Sequence, residues 1–109
     1  MSLKIVSLAQ FTKDVKKLHK KYRRIAEDLK ALEQELLSNP KSGIELGHHC
    51  YKIRLKNSSI PTGKSGGFRV VYYYVDDNNN VYLMTMYAKS DLESVSNERL
   101  IEILNAHGL

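Results

Sequence analysis

The chain has 109 residues, 42% apolar and 27% charged, a balance that allows a packed core and excludes wholesale disorder. Its net charge of +5 is uneven: residues 1–57 hold 13 Lys/Arg against 6 Asp/Glu, while residues 58–109 hold 4 against 6, and a basic half points to a polyanion or an acidic protein as partner. No apolar run approaches the roughly 18 residues needed to span a bilayer, Met1–Leu8 turns polar too soon for a signal peptide, and Cys50 is the only cysteine, which together suggest one domain, residues 1–109, in a reducing cytoplasm.

Leu3–Ser7 is short and apolar enough for a first strand. Ser7, with Gln10 three residues later, fits a capping box that starts a helix at Leu8 or Ala9. Apolar residues then recur at Leu8, Phe11, Val15, Leu18, Tyr22, Ile25, Leu29, Leu32 and Leu36, at alternating spacings of 3 and 4, which is a helical stripe. One helix over this stretch would be about 45 Å long. A lone domain of this size has a radius of gyration of about 13 Å. Two antiparallel helices breaking within Lys20–Arg24 are therefore favoured over a long oligomerisation helix. Asn39-Pro40 and then Gly43 stop the second helix. The face opposite the stripe carries Lys13, Lys16, Lys17, Lys20, Lys21, Arg23 and Arg24, a surface suited to solvation or to an RNA backbone.

Lys41–His49 reads as a loop. Strict alternation follows: Tyr51, Ile53 and Leu55 on one face of a strand, Lys52, Arg54 and Lys56 on the other. Alternate strand residues lie about 6.6 Å apart, which roughly matches the phosphate pitch of single-stranded nucleic acid; a solvated basic face is the competing reading. Asn57–Gly67 is a loop by composition. Its Gly63-Lys64-Ser65 is not a Walker loop, because Ser58 stands where that pattern needs glycine and no helix follows. Phe68–Val75 is apolar on both faces and reads as a central strand, in which Arg69 needs a partner or a polyanion. Asp76–Asn80 is a turn and Val81–Ala88 a further strand, so the sheet is expected to be an antiparallel meander. Ser96 caps a last short helix with Leu100, Ile101 and Leu104 as its buried face, and Ala106–Leu109 frays.

No metal or cofactor is expected. His48, His49 and Cys50 are adjacent, whereas structural zinc sites use spaced pairs. G-x-S-x-G, H-E-x-x-H and dinucleotide fingerprints are missing, and Cys50 reads as a structural thiol. The cations and tyrosines, in contrast, can hold a phosphodiester and stabilise charge on its oxygens. The 2′-hydroxyl of RNA supplies a nucleophile, and a lysine or tyrosine can move the protons. Neighbouring cations favour the neutral form of any one lysine, a route to a base near neutral pH.

Tyr51-Lys52-Ile53-Arg54-Leu55-Lys56, the run Gly63–Tyr72, Tyr87-Ala88-Lys89-Ser90-Asp91 and the helical region Phe11–Gly43 resemble the RelE/ParE/HigB superfamily of type II toxin–antitoxin toxins, nearest its RelE/HigB-like branch. The resemblance implies an α+β fold, with an N-terminal helical hairpin packed on an antiparallel, RelE-like sheet and a short C-terminal helix. It implies a ribosome-dependent mRNA endoribonuclease that works without a metal and inhibits translation. By position it makes Arg69, Lys56, Lys89 and Tyr87 catalytic, with Arg69 at the scissile phosphate. It makes Lys52, Arg54, Lys64 and Asp91 RNA-binding. The implied partners are mRNA, the ribosome and a cognate antitoxin, the last in a toxin–antitoxin hetero-oligomer. Some RelE toxins use a tyrosine near the C-terminus for proton transfer. This chain has none after Tyr87, so either Tyr87 or a lysine is expected to take that part, or the chemistry differs. Two alternatives stand beside this one: a ParE-like DNA gyrase inhibitor and a non-catalytic interaction module.

Overall fold

The apolar stripe folds as two helices, α1 (Ala9–His19) and α2 (Ile25–Ser38), and the break falls within Lys20–Arg24 as expected. The N–H groups of Lys21 and Tyr22 both return to the Leu18 carbonyl, closing α1 with a tight turn. Tyr22 lies inside the break yet is buried, so the stripe stays continuous where the helix does not. α2 stops at Ser38, because Pro40 cannot donate the next hydrogen bond and restricts the residue before it. The computed structural model describes residues 3–61, 66–75, 79–92 and 94–109.

The start of α1 departs from the capping-box expectation. Leu8 is the N-cap and no side chain caps the helix. Ser7 belongs instead to strand β1 (Lys4–Ser7), where it is paired opposite Leu83.

The remaining strands are β2 (Ile44–Gly47), β3 (Cys50–Leu55), β4 (Phe68–Tyr73) and β5 (Asn80–Ala88), followed by helix α3 (Asn97–Ala106). They form one sheet in the order β1-β5-β4-β3-β2. The pairs β2–β3, β3–β4 and β4–β5 are antiparallel, as short connections require. β1 runs parallel to β5, so the sheet is mixed and the expected all-antiparallel arrangement is corrected. No turn joins β1 to β5; the whole helical region and three strands intervene, and turn chemistry therefore does not set its direction. β2 is a second correction, since it occupies part of the expected Lys41–His49 loop. Its turn to β3 is made by His48 and His49, at φ 53° and 64°, the two positive values of a tight type I′ hairpin.

The two sheet faces carry separate cores. Phe11, Tyr22, Ile25, Leu32 and Leu36 from the helices pack on Tyr51, Ile53, Leu55, Phe68, Val70 and Tyr72. The alternation in β3 thus points its apolar residues at the helices. Tyr51 and Tyr72 stack with centroids 5.2 Å apart, and Tyr22 meets Phe68 edge-on at 5.4 Å. On the opposite face α3 covers Cys50, Val71 and Met84 with Leu100, Ile103 and Leu104. Met84 is the extra residue of a bulge between the Val71–Thr85 and Tyr72–Leu83 pairs. Ser96 caps α3 as expected, accepting from the Arg99 N–H. Ile103 takes the buried position expected of Ile101, which is 38% exposed. After α3, the Leu109 N–H bonds the Leu104 carbonyl, and Leu109 packs on the second core.

β1 ends opposite Leu83, leaving the rest of β5 without a strand on that side. The Asp14 carboxylate of α1 fills the gap. It accepts from the Thr85 hydroxyl at 2.5 Å and from the Met86 N–H at 3.1 Å. No helix among the described residues is long and apolar enough to cross a membrane.

Burial pushes the Cys50 thiol up from 9.0 to about 11. The thiol therefore stays protonated in the folded chain at a pH where the unfolded chain has lost the proton. Folding stability is expected to fall as the pH rises from about 9 to about 11, by up to about 1.4 kcal/mol per pH unit from this group. Urea titrations at pH 7.5 and pH 10 check this, and the Cys50→Ala variant should lose that part of the pH slope.

Candidate functional site

The antiparallel register aligns the polar face of the sheet. Arg54 of β3 pairs with Arg69 of β4, and Arg69 with Tyr87 of β5. The three side chains thus form one row across three strands. Two like charges directly opposite each other disfavour the pairing, and burial adds to that cost. Arg69 is only 6% exposed. Its guanidinium pKa is lowered by burial and then by Arg54, with Tyr87 acting in the opposite direction. It remains a cation near neutral pH, as arginine does in proteins. Its Nη1 donates to the Phe68 carbonyl at 3.1 Å, which fixes the fork.

A cleft of about 400 Å³ opens on the Arg54–Arg69 part of this row, and Tyr87 does not line it. Lys52, Arg54, Arg69 and Lys89 contribute its cations. The cleft exists because β2 begins opposite Lys52, leaving the outer edge of β3 uncovered beyond that point. Its other wall is Glu35 of α2 with Ser42, Gly43 and Ile44. The buried Tyr72 holds that wall, its hydroxyl accepting from the Gly43 N–H at 3.0 Å. Gly43 is obligatory here: a Cβ would lie 2.9 Å from the Lys52 carbonyl oxygen. Desolvation is the main cause that raises the Tyr72 pKa, so the residue acts as an anchor.

The other expected site residues sit around this cleft or away from it. Lys56 lies just past β3, is exposed, and does not line the cleft. Lys89 is held near Arg69 by its N–H bond to the Gly67 carbonyl, 3.0 Å. Gly67 has no room for a side chain, since a Cβ would approach the Leu55 carbonyl oxygen to 2.3 Å. Tyr87 is buried, and its hydroxyl has no hydrogen-bond partner among the described residues. Burial raises its pKa, and Arg69 opposes the rise. Asp91 is not brought to the cations of the cleft. It lines a separate cavity with Asp14, Lys17, Lys21 and Tyr87, and lies 3.9 Å from the Lys21 ammonium. Lys64 lies outside the described residues. Glu35 and Ser42–Ile44 were not singled out from sequence, and only the tertiary fold places them at the cleft. Among the described residues no three His, Cys, Asp or Glu side chains are grouped to hold a metal ion.

The family model for the ParE toxin of the type II toxin–antitoxin system parDE matches residues 5–86. The chain belongs to that toxin family. The resemblance to the RelE/ParE superfamily is borne out. Solved structures of E. coli toxin RelE are also similar to this toxin. One is a double arginine-to-alanine mutant in the free state, 25% identical, with a TM-score of 0.57, covering 85% of this chain and 90% of that one. Another is the same mutant in complex with a peptide of the antitoxin RelBc, 23% identical, with a TM-score of 0.58 and 94% of each chain covered. The toxin therefore has a RelE-like α+β fold. The match runs from Ile5 in β1 to Met86 in β5, and so includes every described cleft residue except Lys89.

Proposed function

We propose that this toxin is a ribosome-dependent, metal-independent mRNA endoribonuclease that acts in the cytoplasm and stops translation. The observation that carries the reading is the pair Arg54–Arg69, facing each other across β3 and β4 and joined by Lys52 and Lys89 in one cleft. Two arginines facing each other across a sheet repel. A phosphodiester bound between them turns that repulsion into attraction, and the shielding of Arg69 from water strengthens the effect. Attack by the 2′-hydroxyl on phosphorus places new negative charge on the phosphoryl oxygens, where preorganised cations act best. In this reading Lys52 and Arg54 track the backbone, Arg69 holds the scissile phosphate, and Lys89, with Tyr87 beside Arg69 in the register, supplies the proton for the leaving oxygen. Lys56, at the rim, contributes long-range attraction to RNA.

A cognate antitoxin is the natural regulator. The E. coli RelE relative is solved with its antitoxin peptide, and an acidic or amphipathic segment covering the cleft would neutralise the same cations. The family description leaves gyrase inhibition as the second reading.

Induction in a bacterial host, with mRNA 5′ ends mapped before and after, separates the two. New ends on translated messages, lost when ribosomes are omitted in vitro, are expected. Growth arrest with intact mRNA and a DNA-damage response would place the activity on gyrase. Lys56→Ala should weaken toxicity only several-fold, measured as the inducer concentration that halts growth, because an exposed rim charge acts mainly on the rate of encounter.

A further inference from the structure

Glu35 sits where a helix least favours a carboxylate. It lies in the last turn of α2, which holds no basic residue, and the carbonyl end of the helix dipole disfavours a negative charge there. Among the described residues its carboxylate takes part in no hydrogen bond or salt bridge. Yet it shares a cleft with Lys52, Arg54, Arg69 and Lys89, and no other acidic residue among the described residues lines that cleft. Its negative charge helps raise the pKa of the buried Tyr72 hydroxyl, a smaller cause behind desolvation, which places it close to the wall that Tyr72 anchors.

A cleft that only had to bind phosphate would be weakened by this residue. A carboxylate accepts hydrogen bonds and repels anions, so it suits a ligand that brings a donor beside its phosphate. In RNA the donor beside a scissile phosphate is the 2′-hydroxyl of the same nucleotide.

We propose that Glu35 is the general base that takes the 2′-hydroxyl proton, an inference that rests on the endoribonuclease reading above. The O2′–H bond breaks and its proton passes to the Glu35 carboxylate. O2′ forms a bond to phosphorus, and the P–O5′ bond breaks with its electron pair leaving on O5′. Lys89 gives that oxygen a proton. The products are a 2′,3′-cyclic phosphate and a free 5′-hydroxyl, and the two protein groups exchange protons with solvent afterwards. The base and the phosphate-binding cations thus come from different layers, α2 and the sheet. DNA, which lacks the 2′-hydroxyl, has neither nucleophile nor donor for this site.

The experiment is single-turnover cleavage of a ribosome-bound mRNA across a range of pH by the wild type, Glu35→Gln and Glu35→Asp. Glu35→Gln is expected to lower the rate by about 10²–10⁴-fold, to lose the rise of rate with pH at the acid end, and to bind programmed ribosomes at least as well as the wild type. Glu35→Asp is expected to cleave at an intermediate rate with that rise retained. Cleavage by Glu35→Gln at the wild-type rate, or slower cleavage that keeps the acid-side rise, overturns the proposal while the endoribonuclease reading stands. If Glu35→Gln fails to fold, Glu35→Asp decides: an unchanged rate and pH profile overturns the assignment. Failure of the wild type to cut any mRNA removes the reading itself.

Discussion

Arg69→Ala is expected to abolish growth arrest and to lower mRNA cleavage by about 10²–10³-fold, the cost of losing one preorganised donor to a developing anion. Arg69 differs from the other cleft cations in being 6% exposed and held by the Phe68 carbonyl. Its charge is already stripped of water and oriented before RNA arrives. The substitution also removes the repulsion from Arg54 that lowers the Arg69 pKa. Stability should therefore change much less than activity, and a melting curve beside the cleavage assay checks that separation. Arg69→Lys should not rescue, because an ammonium lacks the planar fork that fits a phosphate. If Arg69→Ala stays fully toxic, the row across β3, β4 and β5 is not the active site.

The largest expected loss of stability comes from the neighbouring residue. Phe68→Ala should cost about 3–5 kcal/mol, the range for a phenylalanine removed from a tight core. Phe68 is fully buried on the helix face of β4 and meets Tyr22 edge-on at 5.4 Å. Its ring joins the α1–α2 break to the centre of the sheet, so a void there loosens both layers. Domains of this kind have only about 5–15 kcal/mol in total, and urea unfolding should show a midpoint far below that of the wild type. Ile101→Ala, on the exposed side of α3, is the control and should move the midpoint little. A Phe68→Ala midpoint matching the control would mean that Phe68 is not a keystone of this core.

The helices and the central strands were legible because their burial repeats locally. The spacing of 3 and 4 from Leu8 to Leu36 gave α1 and α2, and the alternation after Cys50 gave β3 with the correct face inward. The break was legible too, through a length argument that no local signal supplied. What the sequence hid depends on tertiary placement. β2 is an edge strand whose Ile44 is 64% exposed, so it shows no buried alternation, and its turn uses two histidines where glycine or asparagine would have marked a hairpin. Leu100, Ile101, Ile103 and Leu104 allow two apolar faces, and only the docking of α3 chooses Ile103. Glu35 reads as an ordinary polar position between Leu32 and Leu36 until Ser42–Ile44 folds beside it. Asp91 read as a neighbour of Lys89 along the chain, but the chain turns after Ala88, with the Asp91 and Leu92 N–H groups both bonding the Ala88 carbonyl, and Asp91 faces Lys21 instead.

The parallel seam between β1 and β5 sets a clock on synthesis. Lys4 is matched with Asn80 and Ser7 with Leu83, so the first strand waits for nearly the last before it has a neighbour. Contacts this distant in the chain form late. A chain emerging from the ribosome has its helices early, but Tyr87 and Lys89 arrive only after the seam can close. The cleft therefore gains Lys89 only after the strands that carry Lys52, Arg54 and Arg69 have been made.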